Sequence, residues 1–179
     1  MSFIDDMPKV DLHNHLDGGL RPETVTDIAQ KEGIALPTYD VREIRSYLTV
    51  EDNCGSLVEY LEKFDLPLLC LQSEYAQRRV AKEAVEDAAK QNVKYIEVRF
   101  APQLMVERGL SCSNVIKNVI DGLKDGEKET GTVAGAIVCC MRHHTKEQNL
   151  EAIRAAAEFL NRGLAGVDLA GDEFHFPPQ

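Results

Sequence analysis

Near the start of the chain stands Lys9-Val-Asp-Leu-His-Asn-His-Leu-Asp-Gly-Gly19, where an apolar run leads directly into two histidines. The run Lys9–Leu12 predicts a strand, and His13 and His15 follow at its carboxyl end. Side chains two positions apart on a strand lie on the same face, so both imidazoles can converge on one ion. Zn²⁺ accepts nitrogen ligands of this kind readily. The stretch therefore predicts a zinc-binding strand end.

The histidine spacing alone does not distinguish a metal site from coincidence. Five histidines in 179 residues produce such a pair by chance in about one shuffled chain in nine. The context favours the metal site, because the pair closes the first strand of a βα series and Asp17 follows in the loop above. Barrel enzymes place their active sites at this end of the strands.

Three further apolar runs follow, Val93–Phe100, Val133–Cys139 and Leu164–Leu169, each bounded by polar residues or glycine. Longer stretches with helical spacing separate them, and this alternation is typical of an α/β fold with a parallel sheet. Four βα units form the first half of a TIM-barrel type (β/α)8 fold, which leaves an open sheet edge. We expect one unit over residues 1–179, with a helical insertion at about residues 22–91.

Several helix ends are also legible. Thr145 and Gln148 form a capping-box pattern, and Gly163 is expected to end the helix that they begin. Ser73 is expected to cap a helix that runs to about Gln91. These signals place helices between the predicted strands.

Composition excludes several classes of protein. Thirty acidic residues against twenty basic ones give a net charge of −10, so binding to nucleic acid is disfavoured. The five cysteines contain no CxxC pair, which favours free thiols over a disulfide framework. The first residues contain no apolar targeting segment and no run of about 18 apolar residues occurs. We therefore expect a cytoplasmic protein that does not interact with membranes.

Three motifs resemble the adenosine deaminase family of the metal-dependent amidohydrolases, and they occur in the family's order along nearly the whole chain. They are Lys9-Val-Asp-Leu-His-Asn-His-Leu-Asp-Gly-Gly-Leu-Arg-Pro-Glu-Thr24, Tyr95-Ile-Glu-Val-Arg-Phe-Ala-Pro102 and Val167-Asp-Leu-Ala-Gly-Asp-Glu173. The resemblance implies hydrolytic deamination of adenosine, and of deoxyadenosine, to inosine and ammonia. It implies Zn²⁺ as the cofactor and a purine nucleoside as the small-molecule partner.

The resemblance also implies residue roles. His13 and His15 would bind zinc, His15 and Asp17 would contact the substrate with Asp17 at the ribose, and the backbone of Gly171 would contact the purine. The segment Ser56–Phe64 resembles the family's helical lid, with an apolar face formed by Leu57, Tyr60, Leu61 and Phe64. That face equally fits ordinary core packing. Met141, in Cys139-Cys-Met-Arg-His143, would line the pocket.

The other histidines and acids near these motifs are expected to have structural roles. His143 and His144 are adjacent and so point apart, and His175 is expected to be a surface or packing residue. Asp168, on the fourth predicted strand, is expected to be solvated or to help close the barrel.

The family's proton-transferring Glu, in a His-Ala-Gly-Glu motif, a later zinc-binding His and an Asp-Asp pair do not occur in these 179 residues. We therefore expect no catalytic residue within this chain, and an incomplete site that is inactive alone. The expected partner is a second copy or the missing C-terminal half of the barrel. Two alternatives stay open: a barrel deaminase acting on free adenine, and a catalytically silent half barrel that associates with a partner chain through its open edge.

Overall fold

The computed structural model describes residues 3–50 and 54–178. Four strands form one parallel sheet in the order β1-β2-β3-β4. The strands are β1 (Lys9–His15), β2 (Val93–Phe100), β3 (Val133–Met141) and β4 (Leu164–Ala170). Each neighbouring pair is consecutive in the chain, as expected of βα units that wind in one direction. The predicted parallel α/β sheet is confirmed.

All four strands begin where the predicted apolar runs begin, and three of them, β1, β3 and β4, continue past the predicted ends. β2 has the predicted bounds, whereas β1 continues past Leu12 to His15. The backbone N–H of His13 donates to the Asp11 carboxylate (3.0 Å), and the register between β1 and β2 shifts between Asp11 and Asn14. Polar residues therefore extend the strand through an irregularity that hydrophobicity does not reveal.

Eight α-helices accompany the sheet in the described residues. They are α1 (Phe3–Asp6), α2 (Pro22–Glu32), α3 (Val41–Leu48), α4 (Leu57–Leu61), α5 (Asp65–Cys70), α6 (Glu74–Lys90), α7 (Cys112–Thr130) and α8 (Lys146–Ala157). Helices α2 to α6, with a 3-10 turn at Glu62–Phe64, occupy the long segment between β1 and β2. None of the helices in residues 3–50 and 54–178 has the length and hydropathy that crossing a bilayer requires.

Three of the four predicted helix ends are confirmed, including the end of α6, whose C-cap is Gln91. The Ser73 side chain caps α6, and Thr145 and Gln148 form a capping box at the start of α8. The prediction that Gly163 ends α8 is wrong, because α8 ends at Ala157. Gly163 has a φ of 119° in the turn that leads into β4. A glycine in the left-handed region marks a turn as readily as a helix end.

The hydrophobic core lies between the sheet and helices α6 and α7. Ile96, Val98 and Phe100 of β2 are buried there. A Cβ atom added to Gly122 of α7 would lie 2.2 Å from the carbonyl oxygen of Arg78 on α6, so the two helices approach at van der Waals distance. This close packing holds the central strand β2, whose carboxyl end reaches the site, in place.

The outer strands β1 and β4 are each paired on one side only within the described residues. Val10 and Leu12 of β1 are exposed, as are Val167 and Leu169 of β4. Apolar side chains on an unpaired strand are unfavourable when they are exposed to solvent. The predicted open sheet edge is therefore present at both ends of this sheet.

Candidate metal and substrate site

The carboxyl ends of all four strands, together with the segment after β1, surround one cavity of about 290 Å³. This volume is near the lower end of the range of about 300–1,000 Å³ that is usual for small-molecule sites. The residues that line it are His15, Asp17, Tyr60, Leu61, Phe64, Asp65, Leu68, Arg99, Phe100, Ala101, Leu104, Cys139, Met141, His143, Ala170 and Gly171. The sequence-predicted substrate contacts His15, Asp17 and Gly171 therefore meet at one place, although they come from distant parts of the chain.

His13 and His15 lie side by side at the end of β1, with their ring centroids 5.3 Å apart. Two imidazoles bound to one tetrahedral zinc ion have ring centroids about 5 Å apart, so the pair fits two of the ion's ligands. His15 lines the cavity, whereas His13 lies beside it. Residues 3–50 and 54–178 contain no cluster of three or more His, Cys, Asp or Glu that could hold a metal ion. Within the described residues, the end of β1 thus brings two imidazoles together, one fewer than the three protein ligands that are typical of a catalytic zinc.

Asp17 follows the histidines in the loop above β1 and is only 8% exposed. Its Oδ1 atom is buried without a hydrogen-bond partner and lies 3.8 Å from Nδ1 of His15. A buried carboxylate oxygen without a donor is costly, so such atoms commonly face a ligand or a bound water. Asp17 is therefore poised to accept a hydrogen bond from a molecule in the cavity.

Gly171 directly follows β4, on the opposite side of the cavity, with a φ of 110°. A Cβ atom at this position would lie 3.5 Å from Cε of Met141 and 3.6 Å from Nδ1 of His143. Few residues other than glycine adopt this backbone conformation. The glycine leaves its backbone accessible beside Met141, the pocket residue that the resemblance implied, and beside His143, to which no role had been given.

The lid-like segment covers one side of this cavity. Tyr60 and Leu61 of α4 line it together with Phe64, whose ring centroid lies 5.7 Å from that of His15. Gly18 passes closely beneath, since a Cβ atom there would be 3.3 Å from the Phe64 ring. Leu57, the fourth residue of the predicted apolar face, is exposed and is not among the lining residues.

Arg99 and Asp168 also belong to the site, although the sequence predicted no metal or substrate contact for either residue. Arg99 of β2 is buried, forms an ion pair with Asp168 of β4 and contacts the ring of His13. Arg99 stands between Val98 and Phe100 at the carboxyl end of β2, where barrel enzymes place their sites, and this position was the signal that could have found it. The expectation that Asp168 is solvated or helps to close the barrel stays a prediction; its partly buried carboxylate forms an ion pair with Arg99, two strands away in the sheet.

Cys139 and His144 also lie near the site, and burial shifts the pKa of each. Burial raises the pKa of the Cys139 thiol to about 11, so the free thiol stays protonated at neutral pH. Burial, helped by the neighbouring His143, lowers the pKa of His144. The exposed His175 forms an ion pair with Asp172 and does not line the cavity, as expected of a surface histidine.

The family model for adenosine deaminase matches residues 8–179. The chain belongs to the adenosine deaminase family. An adenosine deaminase from Clostridium botulinum is 44% identical over 172 residues, which are 96% of this chain and 51% of that protein. The chain thus spans about half the length of the curated relatives it matches.

Solved structures agree with this membership. An adenine deaminase from Arthrobacter aurescens is 26% identical and has a TM-score of 0.82, over 96% of this chain and 51% of that one. An amidohydrolase from Burkholderia ambifaria, solved with bound Zn, is 22% identical, so it shows the fold alone. Its TM-score is 0.81, over 98% of this chain and 47% of that one. The four strands and their helices are the first four βα units of a (β/α)8 barrel, as predicted.

Proposed function

We propose that this chain is the substrate-binding half of a zinc-dependent deaminase that converts adenosine, and deoxyadenosine, to inosine and ammonia. The observation that carries the proposal is the single cavity that brings His15, Asp17 and Gly171 together beside a second histidine. The family membership of the chain supports the reaction class. The geometry supports a small uncharged ligand with hydroxyl groups.

His13 and His15 would hold the zinc ion, since their spacing fits two ligands of one tetrahedral centre. A zinc ion bound there supplies Lewis acidity, which lowers the pKa of a water molecule towards neutrality. The remaining ligand and the group that transfers the proton would come from outside this chain, from the second half of the barrel. The chain's own residues would therefore bind and orient the nucleoside rather than transfer protons.

Asp17 would accept a hydrogen bond from a ribose hydroxyl through its unpartnered Oδ1 atom. The backbone of Gly171 would bond to the edge of the purine, which its positive φ leaves accessible. Phe64 and Tyr60 would cover the ligand and exclude water from it. Each of these contacts is made to a different part of a nucleoside, which explains why the cavity draws on distant segments of the chain.

The principal enzyme rival is deamination of free adenine, the activity named for the Arthrobacter relative. Adenine lacks the ribose hydroxyl groups, so it could satisfy the buried Asp17 oxygen only through an N–H group of the base itself. The rival from another class is a silent half barrel that binds a partner chain through its exposed strands β1 and β4. That function would not require two imidazoles at the distance of zinc ligands.

The test is a zinc titration of the chain by calorimetry, with His13→Ala, His15→Ala and, as a matched control, the exposed His175→Ala. We expect one zinc ion per chain, a loss of about tenfold or more in affinity for each of the first two variants, and no change for the control. Unchanged affinity in His13→Ala and His15→Ala would overturn the proposed site.

A second titration separates the nucleoside from the free base. Binding of adenosine and adenine would be compared in the chain and in Asp17→Asn, with Asp65→Asn, another acid of the cavity, as the control. We expect adenosine to bind more tightly than adenine, and this preference to be lost only in Asp17→Asn. An equal preference in Asp17→Asn and the parent chain would show that Asp17 does not contact the ribose, and tighter binding of adenine than of adenosine by the parent chain would favour the free-base reaction.

A further inference from the structure

Arg99 carries a permanent positive charge in the interior, since only 6% of the residue is exposed. It lies on β2 directly beside His15 in the register between β1 and β2. Its side chain lines the cavity, and its Nε atom is buried without a hydrogen-bond partner. A buried charge is retained only where specific partners compensate for its lost hydration. The partners of Arg99 are therefore informative about its role.

The first partner is the ring of His13. Nη1 of Arg99 lies 2.7 Å from Nε2 and 3.2 Å from Nδ1 of this imidazole. A donor aligned with the lone pair of one ring nitrogen would be much farther from the other nitrogen, so the guanidinium lies over the ring face. The ring nitrogens bind metals within the plane of the ring. Arg99 thus fixes the plane of the His13 ring and leaves its metal-binding direction free.

The second partner is Asp168, whose carboxylate forms an ion pair with Nη2 of Arg99. Asp168 stands opposite Cys139 in the register between β3 and β4, two strands away from Arg99. The guanidinium therefore contacts one residue from each outer strand, His13 of β1 and Asp168 of β4. Because a guanidinium is planar and binds through several N–H groups at once, both partners restrict its orientation. Asp168 also neutralises the positive charge of Arg99, which would otherwise repel a nearby metal ion.

We propose that Arg99, anchored by Asp168, is a positioning residue that holds the imidazole of His13 in the orientation required for metal binding. This inference rests on the proposed function for its metal, but its contacts exist without one. Residues that orient metal ligands commonly change metal affinity by about 10–100-fold when they are replaced. Arg99 does so through the face of the ring rather than through a hydrogen bond to its second nitrogen.

The test compares three variants. Arg99→Met removes the charge and the planar group, Arg99→Lys keeps the charge alone, and Asp168→Asn removes the anchor. The matched control is Arg78→Met, since Arg78 also forms an ion pair with an aspartate, Asp125, but lies on α6 away from the cavity. Thermal unfolding of every variant identifies any that fails to fold.

The first measurement is made on the metal-free chain by NMR, from the nuclear Overhauser contacts between Arg99 and the His13 ring and from the ring's ¹⁵N signals. We expect a single fixed ring environment in the parent chain and in Arg78→Met, and an averaged one in all three other variants. A His13 ring whose signals are the same in Arg99→Met as in the parent chain would overturn the proposal, whether or not zinc binds.

The second measurement is the zinc affinity of the same variants. We expect a loss of about tenfold in both Arg99→Met and Arg99→Lys. Restoration by Arg99→Lys, or tighter binding in Arg99→Met, would mean that only the charge matters and would overturn the positioning role. Failure of the parent chain to bind zinc would count against the proposed function, while the NMR result on the metal-free chain would still decide whether Arg99 fixes the ring.

Discussion

Strands β2 and β4 belong to the same sheet and each has alternating apolar side chains, but the surroundings of these side chains differ. Ile96, Val98 and Phe100 of β2 are at most 1% exposed, whereas Val167 and Leu169 of β4 are 55% and 49% exposed. The difference arises because β2 has a strand on each side and helices above it, and β4 has one neighbouring strand. The centre of this half barrel is complete, and its edges are not.

The candidate site depends on both regions. Arg99 comes from the buried strand β2, while His13 and Asp168 come from the two outer strands. The outer strands therefore gain order at their carboxyl ends from a residue that the core holds in place. This explains how the sheet can keep a formed cavity although β1 and β4 are each paired on one side only within the described residues.

The largest expected effect comes from truncating one large side chain in each region. Phe100→Ala should lower the free energy of unfolding by about 3–5 kcal/mol, because it leaves a cavity in the core. Leu169→Ala should change it by about 0.5 kcal/mol or less, because that side chain is already half exposed. Urea unfolding of both variants checks this, and similar losses would break the contrast between the two strands.

A smaller effect is expected from adding one methyl group in each region. Gly122→Ala should cost about 1–3 kcal/mol, because the new Cβ would collide with the Arg78 carbonyl oxygen and force α6 and α7 apart. Gly166→Ala on β4 has no atom within 4 Å of the added group, so its stability should be nearly unchanged. Thermal unfolding compares the two, and a destabilised Gly166→Ala would show that the edge is also closely packed.

The smallest expected effect is a dependence on pH at low values. Burial opposes ionisation of Asp87 on α6, but hydrogen bonds from Arg21 and Lys90 outweigh it and lower its pKa below the usual 3.8. A lowered pKa means that the unfolded chain binds the proton more readily, so this contribution is present above pH 3.8 and is lost as the pH falls through the folded-state pKa. In Asp87→Asn, the free energy of unfolding, measured as a function of pH, should therefore fall less steeply as the pH is lowered.

Asp172 is the matched control for this effect near the end of β4. A hydrogen bond from His175, three residues away, lowers the pKa of Asp172. Because this pair is local and exposed, Asp172→Asn should leave the acid limb of the stability curve nearly unchanged. A larger change in Asp172→Asn than in Asp87→Asn would contradict the assignment of stability to the central region.

The sequence predicted the parts of this molecule that local patterns specify. The apolar runs located all four strands, and Ser73 and Thr145 marked the starts of two helices, because these signals act over a few neighbouring residues. Gly163 misled the prediction of a helix end, since a positive φ also serves a turn before a strand. Periodicity likewise placed Leu57 on the face of the lid, but it could not show that Leu57 lies outside the cavity.

The roles of Arg99 and Asp168 could not be predicted in the same way. The two residues are 69 positions apart in the sequence and meet only after β2, β3 and β4 have paired. Asp168 carries no local sign of burial, because an acidic residue at a strand end is usually solvated. A partnership of this kind depends on the register of three strands, which no short pattern encodes.

The most direct test of the account is the absorbance change of adenosine converting to inosine. It would be measured with zinc, first with this chain alone and then with the separately produced second half of the Clostridium botulinum relative. The account predicts no turnover by the chain alone, turnover in the mixture, and loss of that turnover when the mixture contains His13→Ala. Turnover by the chain alone, a one-to-one complex that leaves adenosine unchanged, or an active mixture with His13→Ala would contradict it.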